Sequence, residues 1–409
     1  MRQPVPPWRV GAGRPTSLSP ATVDADLILA GGGLANGLIA LRLAQTRPDL
    51  RVVIVEAAPS LGGDHTWSSF VADISPAARQ WTAPLFAHRW DEYAIRFPAH
   101  SRTLPQGYGS VTSTRLETAL RAALPPERIL TGAPVVALDA GGVTLADQRR
   151  LRARGVIDGR GQRRTPHLDL RWQKFLGVEL KLARPHGLSG PIIMDATISQ
   201  TDGYRFVYTL PFSPTHVLVE DTYYADGPDL APDLLRRHIL DYAAAQGWEV
   251  VASGREEHGI LPLALGGDIE AFWRADDAGV ARSGLGAGLF HPVTGYSFPD
   301  AVAAAELVAA LPAHDSATLR RALRNHSVRT WRSRRLYRML NRMLFLAARD
   351  DERRHILERF YRLDGDLVAR FYAARNTLYD WAQILTGTPP IPIPRAVRTL
   401  LRYELESYA

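Results

Sequence analysis

Residues 26–30 form a short apolar run that ends in three glycines, Gly31 to Gly33. Leu34, Leu38, Leu41 and Ala44 then recur at intervals of three and four, the period of a helix with one buried face. A second apolar run at 51–56 closes with Glu56. Strand, glycine turn, helix, strand and acid in this order predict a βαβ unit. A helix is expected over 112–124, with Thr112 or Ser113 as N-cap, and a strand over 153–161 ending in glycines. The middle of the chain changes character. The runs 204–212 and 216–224 are rich in β-formers and separated by Ser213-Pro214-Thr215, the pattern of an antiparallel hairpin. An amphipathic helix follows over 233–246, then a short extended run at 259–265. A Gly-rich segment, 284–299, leads into an Ala-rich helix over 301–311. From about 317 the pattern is helical and basic, up to a Pro-rich turn at 388–394. No internal repeat is visible.

A length of 409 residues suggests two or three structural units. The absence of cysteine excludes disulfides, thiolate zinc sites, iron–sulfur clusters and cysteine nucleophiles, and fits a reducing compartment. No His/Asp/Glu cluster has metal-ligand spacing. No uncharged apolar run reaches 18 residues, so no membrane-spanning helix is expected. Residues 1–24 carry prolines where a signal peptide needs an apolar stretch, and read as a flexible extension. The formal charge of +7 is uneven: between Arg320 and Arg375 stand 16 Arg and 6 acidic residues. In that segment Leu336, Met339, Leu340, Met343, Leu344 and Ala347 fall on one helical face, with Arg334, Arg335, Arg338 and Arg342 mostly on the other. Such a helix suits a membrane interface, and equally a surface helix packed on the core. Nucleic acid is disfavoured, because no recognition fold accompanies the charge.

A dinucleotide pyrophosphate needs close backbone approach and free N–H groups at a helix N-terminus. Gly31 and Gly33 suit both needs, and Glu56 is placed to accept hydrogen bonds from an adenosine ribose. The usual third glycine is displaced: Asn36 takes its place and Gly37 follows. The alternation then gives way to antiparallel strands and returns to glycine turns near 158–161 and 284–295. A cofactor domain assembled from separated segments suits FAD better than NAD.

The blocks GGGLANGLIALRL (31–43), GGDHTWSSF (62–70), VIDGRG (156–161), PHGLSGPIIMDAT (185–197), GYRFVYTLPFSPT (203–215), EDTYY (220–224) and AGLFHPVTGYSFPDAV (287–302) resemble the bacterial lycopene β-cyclase family of carotenoid biosynthesis. MLNRMLFLA (339–347), RFYRL (359–363) and ILTGTPPIPIP (384–394) resemble its C-terminal region. The resemblance spans about 25–395. It implies an α/β fold of the glutathione-reductase-like, hydroxylase-like kind. An FAD-binding Rossmann domain (25–75, 106–165 and 276–315) would carry an inserted antiparallel β-sheet substrate domain (76–105 and 166–275) and a C-terminal helical region (316–409). It implies a peripheral membrane enzyme on the cytoplasmic side that closes the ends of lycopene and other acyclic carotenoids. It also implies FAD in reduced form, with NADPH or NADH as electron donor. By this resemblance Asp158, Gly159, Gly286, His291, Pro292 and Gly295 join the cofactor-binding set.

Cyclisation starts with a proton added to an alkene, so the site needs a neutral acid in an apolar place and an electron-rich surround for a carbocation. Desolvation keeps a carboxyl protonated. Glu220 and Asp221 are the candidates and should point to opposite faces of their strand. The family's acidic motif matches Glu220 best, as acid or as partner of the cation. A reduced flavin acting as proton donor is the rival account. Trp67, Phe290 and Tyr296 are the candidate π faces toward the substrate. His65 and His291 are either proton shuttles or hydrogen-bonded structural residues. A flavin monooxygenase or reductase acting on another isoprenoid lipid is the alternative on the same fold.

Overall fold

Leu27 and Leu29 face one core cluster and Ile28 and Ala30 another, so the first strand, Ala25–Ala30, is buried on both sides. That is why its sequence is continuously apolar and not alternating. In a computed structural model describing residues 23–407 except 163, 276–277 and 388–389, this strand pairs in parallel with Val52–Val55 and with Arg150–Asp158. Ile129–Leu130 and Ala281–Arg282 extend the parallel part, and the hairpin Val135–Asp139/Gly142–Leu145 completes a seven-stranded sheet. The helix Leu34–Thr46 packs on it beside Phe298–Ala309. The extension expected over 1–24 falls almost wholly outside the described residues.

A second seven-stranded sheet runs in the order Val250–Gly267, Leu168–Leu182, His216–Ala225, Tyr204–Ser213, Ile192–Asp195, Tyr93–Phe97, His100–Leu104. Side chains alternate across it. Val217, Val219 and Tyr223 pack under the helix Pro232–Ala245, while Leu218 and Tyr224 join the opposite core. Tyr208 pairs with Glu220, Glu220 with Gly177, and Gly177 with Glu257, so the four stand in one row across neighbouring strands. The extended run expected at 259–265 is the end of a much longer strand. Its first half is polar and largely exposed, so it carries no apolar signature. A three-stranded sheet (Thr66–Phe70, Tyr108–Thr112 and His88–Trp90) completes the β structure assigned to sheets.

The basic C-terminal region is helical, as its pattern predicts, and of the two orientations left open it takes the one packed on the protein. In the helix Arg335–Arg342 and the π-turn Met343–Ala347, Met339, Leu340, Met343 and Leu344 line an internal cavity. Arg334 is tied to Asp300 at 2.6 and 2.7 Å, Arg338 stacks on Trp331, and Arg342 lies over Tyr403. The apolar face sought for a membrane looks inward. Among the described residues no helix is long and apolar enough to cross a membrane.

Candidate active site

A cavity of about 530 Å³ takes part of its wall from the glycine turns of the first sheet (Gly31, Gly33, Glu56, Gly159, Arg160, Gly161 and Gly284). The second sheet contributes Gln173, Phe175, Met194, Phe206, Tyr208, Glu220 and Tyr224, with Trp67, Gly295 and Tyr296 completing the wall.

Gly31 has φ +92°, and a Cβ there would come within 2.8 Å of the Gly159 carbonyl oxygen. Only glycine fits this close crossing. Gly33 is the N-cap of helix 34–46, with no side-chain cap and no acid in the first turn, so the leading N–H groups are open to a ligand. A Cβ built on Gly33 meets nothing within 4 Å. Glu56 accepts from Gly32 N–H at 2.6 Å and Ala58 N–H at 2.8 Å, fixed at the end of the second strand. The Oε1 of Gln173 is buried without a protein partner on the same wall. An open helix N-terminus, a glycine turn, a fixed acid and an orphaned acceptor together fit a flavin dinucleotide.

Several expected cofactor residues are turned elsewhere. The Asn36 amide donates to the carbonyls of Ala30 and Gly31, and its oxygen accepts from Ser283. It stitches the turn to the 283 segment and does not face the cavity. Gly37 allows close approach of Leu116 and Leu120 from helix Ser113–Ala123. Asp158 is bound to Arg160, and Gly286 lies against the Gly161 backbone. His291 is buried; its Nδ1 faces the N–H groups of Val293 and Thr294, and its Nε2 lies 3.0 Å from the Phe371 carbonyl. Burial and the nearby Arg334 push its pKa down to about 3, so it is a neutral clamp and no shuttle. Pro292 offers its carbonyl to Asn341 and Ala264. Phe290 belongs to the core of the first sheet. None of these side chains lines the cavity. Gly31, Gly33, Glu56, Gly159, Gly295, Trp67, Tyr296 and Glu220 do, as does His65.

The two adjacent carboxylates separate as the strand period requires. Asp221 is fully buried on the helix side, held by Arg205 at 2.8 Å, His238 at 2.9 Å and Tyr223 at 3.2 Å. It is a structural ion pair, which corrects its candidacy for chemistry. Glu220 is buried on the cavity side and accepts a hydrogen bond from Thr222 at 2.8 Å. Burial, then the neighbouring Glu257, pushes its pKa up to about 8, against the lowering effect of Thr222. It is therefore mostly protonated at pH 7. Glu257, held by Thr66 and Arg255 at 2.8 and 2.7 Å, stands two strands away across Gly177.

Sequence reasoning missed Glu257 and a chain of hydroxyls. Tyr296 meets Tyr108 at 2.7 Å, Tyr108 meets Tyr208 at 2.9 Å, and Tyr208 donates to Ser68 at 2.9 Å. The signal for Tyr208 was present: counting back from the 213–215 turn places it opposite Glu220. Glu257 had none, because it lies ahead of the run expected at 259–265, in the part of that strand that was not recognised.

A glycine-turned, largely parallel sheet joined to a broad, largely antiparallel sheet over a shared cavity defines the architecture of flavin-dependent oxidoreductases and halogenases. A geranylgeranyl bacteriochlorophyll reductase-like protein from Thermoplasma acidophilum superposes with a TM-score of 0.60 at 12% identity, covering 92% of this chain and 98% of that one. A flavin-dependent brominase superposes at 0.56 and 15% identity, covering 93% and 99%. Within that class, the family described as lycopene cyclase protein matches residues 26–398. Lycopene β-cyclases of Pantoea ananas and Pseudescherichia vulneris are 47% and 48% identical, each covering 92% of this chain and 98% and 97% of the relative. The chain belongs to the lycopene cyclase family, whose members are carotenoid-pathway enzymes of the intramolecular-lyase type.

Proposed function

We propose that the protein converts lycopene to β-carotene through γ-carotene, with Glu220 as the proton donor. The observation that carries this reading is a buried carboxyl on the wall of an aromatic-lined cavity. Glu220 gives its proton to the terminal double bond of the polyene, leaving a tertiary carbocation. The next double bond attacks that carbon and closes the ring. Loss of a ring proton to the Glu220 carboxylate restores the acid, so the reaction is redox-neutral. Trp67 and Tyr296 offer π faces to the cation, and the apolar wall excludes water. The turn at Gly31 and Gly33, with Glu56, Gly159 and Gly295, would hold FAD. When bound in reduced form, kept so by NADPH or NADH, the flavin would supply negative charge to the site. On this reading the first sheet is the cofactor layer and the second the substrate layer. The test is anaerobic incubation of the purified protein with lycopene, FAD and NADPH. Cyclic products of unchanged composition are expected. Hydrogenated products would identify a reductase instead, and hydroxylated products in a parallel incubation under air a monooxygenase.

The enzyme is proposed to work at an anionic membrane surface, on the cytoplasmic side, through the helix Ile393–Ser407. Its residues Ile393, Val397, Leu401 and Leu405 recur every four positions and are 60, 49, 62 and 75% exposed, with Arg398 and Arg402 exposed beside them. Exposed apolar side chains flanked by arginines suit an interface. Replacing Leu401 and Leu405 together by Ser should weaken co-sedimentation with anionic vesicles by about tenfold or more, since two apolar side chains lose their burial. Unchanged co-sedimentation of a folded double variant would move the contact elsewhere.

A further inference from the structure

A second cavity, of about 400 Å³, lies among the C-terminal helices. Its wall is mainly aliphatic, with Met339, Leu340 and Leu344 on one element and Leu357 and Leu400 on others. Of its polar side chains, Asn341 donates to the carbonyls of Ala264 and Pro292 while its Oδ1 is left without a protein partner, and Arg359 donates to the carbonyls of Ile384 and Thr386. Two features place it. Met194, Tyr224, Thr294 and Tyr372 line both this cavity and the one that contains Glu220, so the two spaces abut through those four side chains. At the other limit Ile393 and Val397 line it and are also exposed, so it reaches the surface at the helix proposed to meet the membrane.

We propose that this second cavity is the channel that holds the rest of the linear polyene while one end reacts at Glu220. The proposal rests on the function given above. The first cavity, sized for one ligand, must take the cofactor and one reacting end together. A conjugated polyene is a stiff rod and cannot coil beside them. The remainder needs a dry, apolar space in continuity with the reacting end. It also needs an opening through which a water-insoluble hydrocarbon can enter without crossing water. The second cavity is mainly apolar, opens at the surface and borders the first through the four shared side chains, whose rotation would join the two spaces. It must also accept a finished ring, because the second closure requires the molecule to re-enter reversed.

The test uses the full-length flavin-loaded protein and lycopene in mixed micelles. Bound polyene is read by its visible absorbance after gel filtration, and turnover by product analysis. Leu340→Trp fills the channel from one point of its wall and Leu400→Trp from another. Leu346→Trp, at an exposed position outside the channel, is the control. Both channel variants should keep parental flavin content, retain little lycopene and show a KM raised about tenfold or more, as overfilling an apolar space implies. Leu346→Trp should stay near the parent. If Leu340→Trp loses its flavin, Leu400→Trp decides. Parental lycopene binding and KM in a flavin-loaded channel variant overturn the proposal. A parent that binds lycopene through this channel but never cyclises it would overturn the function and leave the channel standing.

Discussion

Replacing Glu220 by Gln is expected to slow cyclisation by about 10²–10⁴-fold, the usual contribution of a positioned acid, while flavin content stays parental. Gln keeps the size and the hydrogen bond to Thr222 but has no proton to give an alkene. Flavin should remain because Glu220 stands on the second sheet, away from the Gly31–Gly33 turn. The parent's pH profile adds a separate check. A donor must be protonated, and Glu220 carries its proton below about 8, so turnover should be flat near neutrality and fall as pH rises through about 8. Glu257→Gln removes the negative neighbour that helps hold that pKa up, so the falling limb should move to lower pH. Asp221→Asn should behave differently. It breaks a buried pair with Arg205, at a cost of about 3–5 kcal/mol, so it should lower the melting temperature more than the turnover of the folded fraction. Anaerobic assays with excess NADPH keep flavin reduction from limiting the rate. Parental turnover in Glu220→Gln, or a folded Asp221→Asn as the only dead variant, would mean that the proton comes from another group.

The separation of Glu220 from Asp221 was legible because a strand has a period of two and the hairpin around 213–215 is short. The parallel core was legible for a similar reason: Leu27 to Leu29 and Val52 to Val55 are apolar on every position, which only a strand buried on both faces tolerates. Contiguous motifs were less informative. Phe290, His291 and Pro292 sit beside Gly295 and Tyr296 in one recognisable block. The chain turns sharply there, with the Gly295 N–H bonded to the His291 carbonyl and the His291 N–H to that of Tyr296. Neighbours in sequence therefore face opposite ways, the first three toward the protein and the last two toward the cavity. The helix 335–342 was left between two readings for another reason. An apolar stripe opposed by arginines has the same pattern whether it meets lipid or an internal apolar space, and only the tertiary contacts of Arg334, Arg338 and Arg342 distinguish the two. Expecting Asn36 at the cofactor overlooked what an amide does beside a tight turn, which is to satisfy the carbonyls the turn leaves bare.

The Gly33→Val protein is expected to fold and to purify without flavin. The position has φ −74°, which any residue adopts, and a Cβ there has no protein atom within 4 Å. Val is a poor N-cap, which costs the helix about 1 kcal/mol, too little to unfold a domain of this size. Its two methyl groups project into the space ahead of the helix N-terminus, where the pyrophosphate would accept N–H hydrogen bonds. That interaction is worth up to about 2 kcal/mol from the helix dipole. Added to the steric loss, it should weaken FAD binding by about 100-fold or more. Gly31→Ala provides the contrast. Its Cβ would fall 2.8 Å from the Gly159 carbonyl in a left-handed backbone, so it should destabilise the protein with or without cofactor. Two measurements separate these effects: flavin absorbance per chain, and the melting temperature with and without added FAD. A ligand that binds only the folded state raises that temperature by mass action. Added FAD should raise it in the parent and leave Gly33→Val unmoved, while Gly31→Ala should start lower. A Gly33→Val protein with parental flavin content and a parental response to FAD would place the dinucleotide away from this turn.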